Sequence, residues 1–137
     1  IRRGNVYGYN PCVRFDAVIN RFMFLAHTEG RIKINGSGQQ HRAFVHVDKV
    51  GHTLAALLHH EVPTGIYNLA EHNLSVNDIA DILKDLYPSL ERLYINQHLQ
   101  MRELQVATPV AITKYLPLPE RTILSELETF REAFGLS

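Results

Sequence analysis

Gly36-Ser37-Gly38-Gln39-Gln40-His41-Arg42-Ala43-Phe44-Val45-His46-Val47-Asp48 runs from a glycine-loosened turn, through a lone arginine, into a strand-like alternation. Gly36 and Gly38 let the backbone bend where a side chain would obstruct it. Arg42 offers a rigid fork of N–H donors suited to a diphosphate. Taken alone the stretch fits two structures, an anion clamp or a surface hairpin carrying one solvated arginine.

The flanking sequence alternates strand and helix without a linker, repeat or low-complexity tract, which is an α/β rhythm. Residues 1 to 7 read as a strand, broken by Tyr9-Asn10-Pro11. Phe15 to His27 places Phe15, Val18, Ile19, Phe22, Met23, Leu25 and Ala26 at helical spacing, and Gly30 ends that helix. Arg31 to Asn35 and Ala43 to Val47 alternate as short strands. Asp48 is the expected N-cap of a helix presenting Val50, Leu54, Leu57 and Leu58, stopped by Pro63. Gly65 to Leu69 reads as a buried strand. Ser75 caps a helix through Leu86, with Asp78 as its capping-box partner and Ile79, Ile82, Leu83 and Leu86 as its apolar positions. Leu93-Tyr94-Ile95 is a short strand and Leu104 to Val110 is irregular or extended. Thr122 starts a last amphipathic helix with Ile123, Leu127, Phe130 and Phe134 inward, while Glu126 and Glu128 read as its solvated face.

Composition narrows the partners. Fourteen basic residues against fourteen acidic ones leave no net charge, so there is no electrostatic footprint for nucleic acid or an acidic membrane. No apolar run reaches the ~18 residues of a membrane span. One cysteine, Cys12, excludes an internal disulfide and is compatible with a reducing cytoplasm. A content of 45% hydrophobic residues in 137 fills a modest core. The eight histidines lack metal-ligand spacing: His59-His60-Glu61 has no His-Glu-x-x-His continuation, and Cys12 has no cysteine partner. Ser37 lacks the frame of a nucleophile elbow. No metal and no catalytic residue is expected.

Arg2-Arg3-Gly4-Asn5-Val6-Tyr7-Gly8, then Gly36 to Asp48, then Gly65-Ile66-Tyr67-Asn68-Leu69 and a closing amphipathic helix follow one another in the order of a known family. The chain resembles the extended short-chain dehydrogenases, the NAD(P)-dependent nucleotide-sugar epimerases and dehydratases. The resemblance implies a fold made of partial Rossmann-type sheet strands plus the small mixed α/β substrate-binding domain of that family. It also implies a nucleotide-diphosphate sugar as ligand. By the same resemblance Arg42 grips the diphosphate, Gln40 orients the arginine or the substrate, Asn5 hydrogen-bonds the sugar nucleotide, Asn20 touches base or ribose, Arg102 supplies a second phosphate contact, and Val6 packs near the cofactor's nicotinamide. Asn5 at a strand end, Val6 as plain packing and Asn20 on a solvated helix face remain the alternatives for those three. Asn35 departs from the family in standing where many relatives present an aromatic residue to the base, and Lys49 replaces an acidic residue common after Val-Asp.

Two family elements are missing from the sequence. Its glycines, at 4, 8, 30, 36, 38, 51, 65 and 135, form no Gly-x-x-Gly-x-x-Gly turn, and no tyrosine is followed four places on by lysine. Residues 1–137 are therefore expected to be the C-terminal substrate-binding portion of a longer enzyme, cut after its catalytic pair. NAD or NADP would belong to that parent, with none bound by this portion. A non-catalytic nucleotide-sugar or dinucleotide-sensing module of the same fold is the competing expectation. A homodimer formed through an exposed sheet edge or face would cover strands left without neighbours.

Overall fold

A computed structural model of the chain describes residues 1–9, 17–95, 105–106, 108 and 110–134. The elements run β1 (Arg2–Arg3), β2 (Asn5–Tyr7), α1 (Val18–Glu29), β3 (Arg31–Asn35), β4 (His41–His46), α2 (Val47–Ala56), β5 (Asn68–Leu69), β6 (His72–Ser75), α3 (Val76–Leu86), β7 (Glu91–Ile95), a 3-10 turn at Ala111–Lys114, and α4 (Ile123–Phe134). β1 runs parallel to β5 and β3 parallel to β7, while β4 lies between parallel β2 and antiparallel β6. This is the mixed α/β class that the sequence pattern predicts.

β4 divides the interior. Phe44 packs with Tyr7, Phe22, Ile79, Leu83, Leu127 and Phe130 on one side, and Ala43 and Val45 pack with Leu69, Ile112 and Leu116 on the other. With both faces covered, Ala43, Phe44, Val45 and His46 are all buried, so β4 shows none of the inside–outside alternation of a half-exposed strand. α4 docks through Leu127 and Phe130, each such side chain contributing about 1.5–3 kcal/mol of burial.

Local signals account for most boundaries. Gly30 follows α1, and Ser75 and Asp78 exchange both hydrogen bonds of the capping box that opens α3. Four expectations are corrected. The strand expected over residues 1 to 7 is two short ones, because β1 pairs with β5 and β2 with β4. Only Asn68 and Leu69 of the Gly65 to Leu69 segment form a strand, and Ile66 is exposed. The N-cap of α2 is His46, whose Nδ1 accepts the Asp48 N–H at 3.1 Å, while Asp48 sits in the first turn where its charge meets the positive end of the helix. The buried face of α2 is Lys49 and Thr53, and Leu54 and Leu58 are exposed, so the helix is turned by about one residue from the face the leucines predict. β6 was missed altogether: His72-Asn73-Leu74-Ser75 has little strand propensity and is held by its ladder to β4.

Candidate functional site

The turn that begins at Gly36 is stapled to the start of α3. Asn77 donates its backbone N–H to the Gly38 carbonyl at 2.9 Å and its side-chain amide to the Ser37 carbonyl at 3.2 Å. Gly38 has φ +77°, and any Cβ there would run into the Asn77 side chain, so both conformation and space demand glycine. Gln40 closes the turn by donating from Nε2 to the Asn35 carbonyl at 3.4 Å.

From this turn β3 and β4 diverge into different sheets, and together with β2 and the start of α1 they wall a cavity of about 740 Å³. Asn5, Val6, Asn20, Gln40 and Arg42 all line it. The structure therefore brings together, in one cavity, five of the six residues singled out in the sequence. The sixth, Arg102, lies outside the described residues, as does Cys12. Asn20 is buried rather than solvated, and its Oδ1 accepts the Gly8 N–H at 3.0 Å, so it fixes the end of β2 beside Asn5 and Val6. Arg42 is half-buried and spends one guanidinium N–H on the His41 carbonyl at 2.8 Å. Val6 is half-buried against the second core cluster as well as lining the cavity. Arg3, Arg21 and Lys33 also line it, and among the described residues the lining contains no carboxylate. In a chain without net charge, that one-sided lining favours an anion.

Behind the cavity wall lies a buried polar network that the sequence reading missed. Glu126 is 3% exposed and Lys49 0%. Tyr7 donates its hydroxyl to Glu126 Oε1 at 2.8 Å; burial first, and the Glu126 charge second, push this phenol far above its ordinary range, so it stays a donor. Lys49 Nζ lies 3.6 Å from Glu126 Oε1 and donates to Glu71 at 2.5 Å, and Arg121 Nη2 lies 3.7 Å from Glu126 Oε2. Glu126 is thus a correction to the expectation of a solvated glutamate, whereas Glu128 is exposed. One signal was available: Glu126 is three residues after Ile123 and four before Phe130, which puts it at the margin of the apolar stripe.

His46 completes the network. Its Nδ1 already accepts the Asp48 N–H, and burial pushes its pKa below the ordinary 6.5, outweighing the pull of Glu126 3.5 Å away. The imidazole is therefore neutral. Gly8, at φ 120°, passes so close that a Cβ would stand 2.6 Å from His46 Nε2. Because the unfolded histidine protonates more readily than the folded one, stability contributed by neutral His46 is present above its ordinary pKa and declines as pH falls below it. Urea unfolding between about pH 7 and 5 should show that decline, and His46→Asn, which keeps an acceptor for the helix cap, should flatten it. An unchanged slope in the variant would show that His46 is not the group responsible.

The mixed α/β fold beside this cation-lined cavity is shared with the extended short-chain dehydrogenases. The chain belongs to the NAD-dependent epimerase/dehydratase family, whose model matches residues 1–70. Comparison with curated proteins gives no match. Among solved structures, it is similar to an NAD-dependent NDP-hexosamine 5,6-dehydratase involved in tunicamycin biosynthesis, with TM-score 0.81, 26% identity, and coverage of 99% of this chain and 44% of that one. MoeE5 in complex with UDP-glucose and NAD gives TM-score 0.73 and 25% identity, with 99% and 47% covered. A UDP-glucuronic acid 4-epimerase from Bacillus cereus gives TM-score 0.79 at 19% identity, with 98% and 44% covered, and shares the fold. The chain spans less than half the length of each of these structures.

The family's dinucleotide needs a glycine-rich turn leading into a free helix N-terminus. The residues present do not fit it: the sequence holds no such glycine triplet. Val6 is the one cofactor contact that the resemblance assigns here.

Proposed function

We propose that residues 1–137 form the nucleotide-sugar-binding portion of an NAD(P)-dependent epimerase or dehydratase, with the cavity beside the Gly36 to Arg42 turn as the sugar-nucleotide site. The observation that carries this reading is the cavity itself: Asn5, Asn20, Gln40 and Arg42 converge on one space whose described charged residues are all cationic. Its volume of about 740 Å³ is in the range of small-molecule sites. In this reading Arg42 holds the diphosphate, Gln40 steadies the arm that carries it, and Asn5 and Asn20 receive the sugar-nucleotide hydroxyls. Solved structures of similar fold that hold UDP-glucose or UDP-glucuronic acid support that ligand class. The lone cysteine supports a cytoplasmic setting.

Calorimetric titration tests the reading. The chain should take up at least one of ADP-, CDP-, GDP-, dTDP- or UDP-glucose, and should take up neither NAD nor NADP. Binding of a dinucleotide at micromolar concentration would overturn the assignment of the cavity, and so would failure of every nucleotide sugar.

The same proposal includes self-association. Ile1, Ile66, Leu54 and Leu58 are exposed on or beside β1, the approach to β5 and α2. β1 pairs only with β5 among the described residues, so its other edge offers unpaired backbone groups. Light scattering over a dilution series should show a dimer, and a monomer at tens of micromolar with a cooperative melt would contradict this.

A further inference from the structure

Gln40 and Asn35 face one another across the turn through the Nε2–carbonyl hydrogen bond of 3.4 Å. Two residues farther along each arm stand Arg42 on β4 and Lys33 on β3. Strand alternation puts Lys33 on the same face of β3 as Asn35, and Arg42 lies on β4 two residues after Gln40. β3 then pairs with β7 and β4 with β2 and β6, so no ladder fills the gap between the arms, and all four residues line the cavity. The result is a cleft with two amides at its closed end and one cation on each lip.

We propose that Lys33 is a further diphosphate-binding cation of this site, opposing Arg42 across the cavity. This rests on the nucleotide-sugar reading and adds a residue to it. A nucleotide-sugar diphosphate carries one negative charge on each of its two phosphoryl groups. A guanidinium fork suits one of them and a compact ammonium with three rotatable donors suits the other. Lys33 is exposed to the cavity on a strand whose neighbours Ile32 and Ile34 are buried, so the β3 backbone is held while the lysine head is available. The other cations of the lining do not occupy that position: Arg21 sits 5.9 Å over the Phe22 ring on α1, and Arg3 belongs to β1. With Asn35 on the same face of β3, this wall recognises its ligand by charge and hydrogen bonds.

The experiment is a competition series with residues 1–137. The tightest binder of the five nucleoside-diphosphate glucoses is displaced by inorganic pyrophosphate or by the corresponding nucleoside, for the wild type, Lys33→Met and Arg42→Met. Circular dichroism establishes that each variant is folded, which an exposed strand position permits. Lys33→Met should weaken both the nucleotide sugar and pyrophosphate about tenfold while leaving nucleoside competition within twofold. A wild type that binds no nucleotide sugar overturns this proposal together with the site reading. A wild type that binds, with Arg42→Met weakened and Lys33→Met within twofold for pyrophosphate, overturns the role of Lys33 alone. Loss confined to nucleoside competition in Lys33→Met also overturns it, by placing the lysine on the base.

Discussion

Glu126→Ala should destabilise the protein by about 3–5 kcal/mol, the usual cost of removing one partner from a buried ion network. The alanine would leave the Tyr7 hydroxyl without its acceptor 2.8 Å away and Lys49, at 0% exposure, with Glu71 as its remaining carboxylate. Domains of this size hold about 5–15 kcal/mol in total, so a large share of the stability is at stake. Glu126→Gln should cost less, because an amide oxygen can still accept from Tyr7 while the charge opposite Lys49 is lost. Denaturant melts of the three proteins measure this. A loss below about 1 kcal/mol for Glu126→Ala, the value of an exposed ion pair, would mean that the carboxylate is solvated after all.

The second large effect is on binding. Arg42→Ala should weaken the nucleotide sugar by roughly ten- to a hundredfold, since a charge-assisted contact is worth about 1.5–3 kcal/mol. Arg42→Lys should recover only part, because an ammonium cannot reproduce the planar fork. The arginine is half-buried and its register partner on β6 is Leu74, so the loss in Arg42→Ala should appear as affinity with little change in melting behaviour. A dissociation constant within twofold of the wild type would make Arg42 the solvated arginine of a surface hairpin.

What could be read from the sequence was what local chemistry determines. Ser75 with Asp78 announced a helix start because the two side chains satisfy each other's backbone N–H, and the structure has that box. The alternation Arg31 to Asn35 gave β3 its bounds because Ile32 and Ile34 face inward on a period of two. Apart from the N-cap of α2, the failures are tertiary. Lys49 turns α2 inward only because Glu71, from the connection between β5 and β6, and Glu126, from α4, wait for its ammonium, and nothing near Lys49 in the sequence signals either. β6 exists only as a partner for β4. For the candidate site, the family resemblance suggested Asn5, Asn20, Gln40 and Arg42, but only the fold places them around one cavity and adds Lys33 to its wall.

The central claim is that this cavity receives a nucleotide sugar. Amide chemical-shift mapping of residues 1–137 during titration with the tightest of the five nucleoside-diphosphate glucoses tests it most directly. The account predicts that the largest shifts fall on Lys33, Asn35, Gly36 to Arg42, Asn5 to Gly8 and Asn20, with the outer face of α2 around Leu54 and Leu58 unmoved. Saturable shifts that leave Gly36 to Arg42 unchanged and gather elsewhere, or no shifts with any of the five, would contradict it.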